Sequence, residues 1–199
     1  MKLYYLPGAC SMAAHIILRE AGYTFEIDKL NLATQLTVAG EDYRAVNPRG
    51  YVPALRLDSG DVLTEDAVVL QYLADQKPEA ALAPPMGTME RYRLMEWLNF
   101  IATELHKNLG ALFNPNITPE WKAQQIEMFS RRADWLDGQM ADRPFLMGAR
   151  FSVADAYLFT VIGWCPKLGI ELDRWPALKK HHALVAARPA VIATIQAEQ

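Results

Sequence analysis

Apolar and polar positions change their spacing repeatedly over residues 1–80, which predicts strands and helices in alternation. Residues 2–6 are an apolar run ended by Pro7-Gly8, typical of a buried strand. Residues 11–21 have apolar side chains at helical spacing, and residues 25–30 alternate as a second strand does. The pattern predicts a βαβ unit.

A second unit follows a polar stretch, residues 31–40, that we expect to be a loop. After the turn sequence Asn47-Pro48-Arg49-Gly50, two short runs flank Asp58-Ser59-Gly60 and predict a hairpin over residues 52–57 and 61–63. An amphipathic helix is predicted over residues 66–76. This is a ββα unit.

The remainder of the chain has only helical spacing. Pro and Gly accumulate before it, so we predict a domain over residues 1–80, a linker over residues 81–87 and an all-helical domain over residues 88–199. The helices predicted in this second half cover residues 88–112, 119–140, 152–163, 177–187 and 190–197. The fold class is therefore α/β followed by all-α.

Composition and charge narrow the possible functions. Apolar residues make up 51% of the chain and charged residues 22%, which is typical of a folded globular protein. The formal net charge is -3 and no long basic run occurs, so nucleic acid is not an expected partner. The absence of a long apolar stretch and of an export signal predicts a cytoplasmic protein that does not contact a membrane.

The chain contains only two cysteines, Cys10 and Cys165, and no Cys/His cluster at zinc spacing, so neither disulfides nor a metal site are expected. Cys10 falls between the first strand and the first helix, where a helix N-terminus favours a thiolate. Cys10-Ser11-Met12-Ala13 stands where a Cys-x-x-Cys motif would, but it lacks the second thiol. A one-cysteine site and an ordinary buried cysteine both fit this position.

Two further features lie at strand ends. Pro53 opens a strand after a turn, a position that an ordinary edge proline also takes. A cis Val52-Pro53 bond would leave the Val52 backbone free to pair with an extended peptide. Glu65-Asp66 precedes a helix, so we predict that Asp66 caps it and that the Glu65 carboxylate binds an amino group.

Three polar residues form a stripe on the first helix of the second half. Asn99, Thr103 and His106 are four and three residues apart, so on an α-helix they share one face. Such a stripe is either solvent-exposed or directed at a site on the first domain, and an imidazole there could share a proton with a thiol.

These motifs, in this order, resemble the cytosolic glutathione transferases over essentially the whole chain. The bacterial beta class is indicated by Cys10-Ser11, by Asn47-Pro48 with Gly50 and Val52-Pro53, by Glu65, and by His106-Lys107. The resemblance implies a thioredoxin-like first domain, glutathione as co-substrate without another cofactor, a hydrophobic electrophile as the second substrate, and a homodimer.

The resemblance also implies roles for individual residues. Cys10 and His106 are the expected catalytic residues. The expected glutathione-binding residues are Ala9, Cys10, Ser11, Gln35, Val52, Pro53, Glu65, Asp66, Asn99, Thr103, His106, Lys107 and Trp164. Two departures predict weaker binding: Gln35 stands where many beta-class members have a lysine, and Asp66 replaces the common serine.

Three functions remain open at this stage. The leading hypothesis is a detoxifying enzyme that conjugates the thiol of glutathione to electrophilic small molecules. In the first alternative, Cys10 is itself the nucleophile of thiol-disulfide exchange or peroxide reduction. The second alternative is a transferase-like binding module without catalysis.

A capping box is predicted at Ser152-Val153-Ala154-Asp155, where the Asp155 carboxylate reaches back to the helix start. We interpret it as structural and expect Asp155→Ala to lower stability by ~1 kcal/mol or more without abolishing glutathione binding.

Overall fold

The first half of the chain is built on a five-stranded mixed sheet. The computed structural model describes residues 1–199, and its strands have the spatial order β3-β2-β1-β4-β5. Strand β1 pairs in parallel with β2, while β4 pairs antiparallel with both β1 and β5. The strand bounds are β1 Lys2–Tyr5, β2 Glu26–Asn31, β3 Leu36–Thr37, β4 Ala54–Arg56 and β5 Val62–Thr64.

Three helices accompany this sheet: α1 Ser11–Glu20, α2 Tyr43–Val46 and α3 Asp66–Gln76. The predicted βαβ and ββα units are both present, and the thioredoxin-like fold is confirmed. Two short elements were missed: β3 lies within the predicted loop, and α2 follows it. Both are shorter than the window over which hydrophobic spacing can be read, so the sequence carried no periodic signal for them.

The second half is helical, as predicted. Its α-helices are α4 Met89–Phe100, α5 Lys107–Ala111, α6 Pro119–Met140, α7 Val153–Ile162, α8 Pro176–Ala186 and α9 Pro189–Ala197. Between α4 and α5 the chain continues as a π-helix over Ile101–His106. The helix predicted over residues 88–112 is therefore continuous, but its middle part is not α-helical. None of these helices is both long enough and apolar enough to cross a membrane.

One apolar core joins the two halves. A cluster of 43 buried apolar residues extends from the sheet and α1 into the centre of the helical half, where every residue of α7 is buried. Arg91 of α4, nearly inaccessible to solvent, makes a two-pronged ion pair with Asp75 of α3 at 2.7 and 2.8 Å. This shared core and the ion pair connect the two halves of the chain.

Asp155 connects the start of α7 to its surroundings. Its Oδ2 accepts hydrogen bonds from the backbone N–H of Ser152 at 2.9 Å and from the Ser152 hydroxyl at 2.8 Å. Its Oδ1 accepts from the N–H of Leu146 at 2.8 Å and lies 3.0 Å from Nε2 of His181. The carboxylate thus joins α7, α8 and the loop before α7, a larger role than capping alone.

Candidate active site

A cavity of about 780 Å³ opens between the sheet and the helical half. Most of the predicted site residues line it: Ala9, Cys10, Val52, Pro53, Glu65, Asp66, His106, Lys107 and Trp164. The loop after β1, the turn before β4 and the start of α3 form one wall, and the π-helix, α5 and the segment after α7 form the other. The cavity therefore brings together residues that are distant in sequence.

Four predicted residues do not line the cavity. Ser11 is fully buried, and its hydroxyl bonds to the backbone of Leu6. Gln35 donates from Nε2 to the Leu32 carbonyl at 2.9 Å. Asn99 and Thr103 are exposed.

The π-helix explains why the polar stripe divides. Thr103 donates its hydroxyl back to the Asn99 carbonyl at 3.0 Å, and both side chains face away from the cavity. His106, by contrast, lies inside it. The prediction of one shared face assumed α-helical spacing, whereas each π-turn contains one more residue and rotates the side chains that follow it.

Cys10 lies at the start of α1, directly against the turn that holds Val52. Its thiol donates to the Val52 carbonyl, with Sγ 3.2 Å from the oxygen. The Val52-Pro53 peptide bond is cis, as the predicted peptide-binding arrangement requires. The Val52 N–H has no acceptor in the protein, so a backbone donor faces the cavity without a partner.

The Cys10 thiolate expected from the helix start is not favoured in this structure. Burial, and then the negative charge of Asp66, raise the pKa of the Cys10 thiol well above its usual value. Burial also raises the pKa of Asp66 well above its usual value, and Oδ1 of this carboxyl has no hydrogen-bond partner. Desolvation outweighs the helix dipole because both groups are enclosed in the same low-dielectric corner.

Glu65, and not Asp66, takes the N-cap position of α3. Strand β5 ends at Thr64 and the helix begins at Asp66, which leaves Glu65 in the turn with a φ of 68°. Neither carboxylate caps the helix, so the predicted capping role of Asp66 is wrong. Instead, Oε1 of Glu65 accepts from Arg49 at 2.7 Å, and both side chains are largely exposed.

Arg49 was not among the predicted site residues. It stands in the turn Asn47-Pro48-Arg49-Gly50, and only the fold brings this turn beside Glu65. The sequence shows Arg49 within a turn motif, but it does not show that Glu65 is its partner.

His106 sits between two aromatic side chains of the helical half. Its Nδ1 lies 2.7 Å from the hydroxyl of Tyr157, and its ring is 5.0 Å from the ring of Trp164. Burial, reinforced by the charge of Lys107, lowers the pKa of His106 to about 4, so the imidazole is neutral at pH 7. Burial raises the pKa of Tyr157, which keeps the phenol protonated.

Tyr157 was also missed. It belongs to α7, whose continuous apolar sequence is that of a buried helix, and nothing in that spacing distinguishes a cavity-lining tyrosine from a core one.

The loop before Cys10 is held from both sides by the helical half. Trp164 donates from Nε1 to the Gly8 carbonyl at 2.9 Å. Glu198, near the C-terminus, accepts from the Gly8 N–H at 2.9 Å and contacts Nδ1 of the buried His15 at the same distance. These contacts fix the position of Cys10 relative to the opposite wall. No group of His, Cys, Asp and Glu side chains is arranged to hold a metal ion.

Family models match both halves of the chain. The model for the N-terminal domain of glutathione S-transferase matches residues 8–76, and that for the C-terminal domain matches residues 119–189. The chain is also 41% identical over 198 residues to glutathione S-transferase GstA of Escherichia coli O157:H7, covering 100% of this chain and 98% of GstA.

Solved structures agree with this match over the full length. A sphingomonad glutathione S-transferase in complex with glutathione superposes with a TM-score of 0.97 at 47% identity, covering 100% of this chain and 98% of that one. The beta-class glutathione S-transferase of Sphingomonas chungbukensis superposes with a TM-score of 0.96 at 46% identity, with the same coverage.

Proposed function

Because the chain belongs to the glutathione S-transferase family, we propose that its cavity binds reduced glutathione along the wall formed by Val52 and Glu65. The chain is a glutathione transferase, with bacterial beta-class enzymes among its structural relatives. One observation supports this assignment most strongly: an unpartnered backbone N–H at Val52 lies in the same cavity as the Glu65 carboxylate.

This wall has the groups that a short extended peptide needs. The N–H and carbonyl of Val52 pair with a peptide unit as a neighbouring strand would. The Glu65 carboxylate binds the α-ammonium of the γ-glutamyl residue. Arg49, already paired with Glu65, is close enough to that end of the ligand to contact its α-carboxylate.

The thiol of glutathione then lies near Cys10 and His106. A neutral imidazole donates a hydrogen bond to a thiolate, and the ammonium of Lys107 adds positive charge on the same wall. Both effects favour the ionised thiol over the protonated one. The rate gain comes from this ionisation and from holding thiol and electrophile together.

The second substrate is an electrophile that packs against the helical wall. Phe113 and Trp164 line that wall with their rings 5.7 Å apart in an edge-to-face arrangement. Such a surface favours an apolar or aromatic acceptor. The proposed reaction uses glutathione as co-substrate and needs no further cofactor.

We also propose that the protein is a cytoplasmic homodimer. Large apolar side chains of α3 and α4 are exposed, Val68, Met89 and Tyr92 among them, and such residues favour a protein interface. Both cysteines are free thiols, consistent with a reducing compartment. Light scattering tests the dimer: a mass twice that of the chain supports it and a monomer mass refutes it.

The division into domains at residues 1–80 and 88–199, with a linker at 81–87, is likewise a proposal. It is supported by the position of the linker, which falls between the end of α3 at Gln76 and the start of α4 at Met89. Limited proteolysis that cuts first within residues 81–87 would support it.

Turnover of 1-chloro-2,4-dinitrobenzene with glutathione tests the proposed function. We expect a rate above the uncatalysed reaction that saturates with glutathione concentration. A rate equal to the solution reaction, for this and for other electrophiles, would assign the chain to the non-catalytic alternative.

A further inference from the structure

Charge is distributed unequally between the two walls of the cavity. The acidic residues that line it, Glu65 and Asp66, both belong to the first half of the chain. The helical wall has no acidic residue and carries two ammonium groups, those of Lys107 and Lys167. The helical wall, against which the electrophile is proposed to pack, therefore carries positive charge.

Neither of these lysines is neutralised by the protein. Lys179, also on the helical half, pairs with Asp173, and Arg49 across the cavity pairs with Glu65. Lys107 and Lys167 have no ion pair and no hydrogen bond from their ammonium groups. Both lysines are exposed and line the same cavity without an acidic partner, so each is available to attract an anion bound there.

Lys167 is positioned beside Gly8, in the loop that precedes Cys10. Its Nζ lies 3.3 Å from the point that a β-carbon on Gly8 would occupy, which places the ammonium over the loop that leads to Cys10. Trp164, three residues earlier, bonds to the carbonyl of the same glycine. A substrate that rests on Trp164 therefore has the Lys167 ammonium at its edge.

We propose that the electrophile is an aromatic carboxylate, with its ring against Phe113 and Trp164 and its carboxylate bound by Lys167 and Lys107. The inference rests on the proposed function and extends it from apolar electrophiles in general to acidic ones. Ammonium groups recognise a carboxylate as point charges and tolerate varied geometry, which suits a cavity whose aromatic wall sets the orientation. Glutathione does not require Lys167, because Val52, Glu65 and Arg49 bind it on the opposite wall, whereas Lys107 also lies near the glutathione thiol.

With an aromatic carboxylate that also carries a ring chlorine, as the test substrate below does, the reaction is an aromatic substitution. The sulfur of the glutathione thiolate forms a bond to the ring carbon that carries chlorine, and the carbon–chlorine electron pair leaves with chloride. The thiol proton passes to water. No oxidant or reductant is consumed, and the carboxylate is unchanged.

A matched pair of substrates tests the proposal: 4-chloro-3,5-dinitrobenzoate and its methyl ester, which differ in the negative charge. We expect the wild type to favour the acid in kcat/KM. Lys167→Gln should lower the acid-to-ester ratio about tenfold, the order expected for a hydrogen bond to a charged group. Lys107→Gln should lower it in the same direction, and added salt should reduce the wild-type ratio. Lys122→Gln, an exposed lysine of α6 outside the cavity, is the control and should leave the ratio unchanged.

Three results would overturn the inference. Equal kcat/KM for acid and ester in the wild type would show that the cavity does not select a carboxylate. A rise in KM for glutathione in Lys167→Gln, with the acid-to-ester ratio unchanged, would assign the lysine to glutathione instead. If the wild type turned over neither these substrates nor 1-chloro-2,4-dinitrobenzene, the proposed function itself would fail, and this inference with it.

Discussion

The hydroxyl of Tyr157 lies 2.7 Å from Nδ1 of His106, and it makes no other hydrogen bond. Since burial raises the pKa of the phenol and lowers that of the imidazole to about 4, both groups are neutral at pH 7. The single proton of the phenol then has Nδ1 as its acceptor, which leaves the imidazole proton on Nε2. We therefore expect His106 to donate a hydrogen bond to the glutathione thiolate rather than to act as a base.

Tyr157→Phe removes the hydroxyl that fixes the Nε2-protonated tautomer of His106. The variant should therefore stabilise the thiolate less. We expect the pH profile of kcat/KM to move to higher pH, while KM for glutathione changes little because Tyr157 does not contact the peptide-binding wall. Nitrogen-15 spectra should show the Nε2-protonated imidazole in the wild type.

Thr160→Val is the matched control for Tyr157→Phe, because it removes a hydroxyl of α7 that bonds only within its own helix. An Nδ1-protonated His106 in the wild type would contradict this account even if Tyr157→Phe failed to fold.

Cys10→Ala should preserve glutathione conjugation. The Cys10 thiol is protonated at neutral pH and shares the Val52 carbonyl, so removing it takes no charge from the reaction and leaves that carbonyl to the ligand. We expect kcat to stay within about threefold of the wild type and any thiol-disulfide exchange activity to disappear. A loss of conjugation by orders of magnitude would instead make Cys10 a participant in the transfer.

Asp155→Ala should destabilise the fold more than the loss of a helix cap does. The buried carboxylate accepts hydrogen bonds from Ser152 and Leu146 and contacts His181, and removing it leaves these donors without partners. We expect a loss of about 3–5 kcal/mol in the free energy of unfolding, the usual range for breaking a buried charged network.

Chemical denaturation measures this loss, with Asp142→Ala, an exposed aspartate, as the control. Glutathione affinity in the folded fraction should be unchanged. A loss of affinity at unchanged stability would mean that Asp155 acts in the site.

The contribution of His106 to stability should fall between pH 6.5 and pH 4. In this interval the unfolded chain binds a proton at the imidazole, whose usual pKa is 6.5, and the folded protein does not until about pH 4. The unfolded state therefore gains protons first, so the free energy of unfolding decreases as pH falls, by on the order of 3 kcal/mol for this residue.

His106→Gln removes this contribution, so the free energy of unfolding should fall less between pH 6.5 and pH 4 in the variant than in the wild type. An identical slope in the variant and the wild type would show that the imidazole titrates normally in the folded protein.

The sequence was informative wherever a signal was local. The α1 and α3 helices, the turn before Pro53 and the placement of Cys10 all follow from spacing and turn residues within a few positions. The Arg49–Glu65 pair and the Tyr157–His106 bond join residues 16 and 51 positions apart, and only the folded chain brings them together.

Two predicted roles failed for physical reasons that spacing does not report. The helix dipole at the start of α1 predicted a Cys10 thiolate. Burial beside Asp66 disfavours the thiolate more than the dipole favours it. The stripe of Asn99, Thr103 and His106 assumed α-helical turns, and the π-helix at Ile101–His106 rotates its last member into the cavity while the first two stay exposed.

Calorimetric titration with reduced glutathione, on the wild type and on Glu65→Ala, tests the central assignment of the peptide-binding wall. We predict micromolar to low-millimolar binding that weakens at least about tenfold in the variant, since the ligand ammonium loses its carboxylate partner. Glu79→Ala, which removes an exposed carboxylate outside the cavity, should bind as the wild type does. Equal affinity in the wild type and Glu65→Ala, or no binding by the wild type, would contradict the assignment.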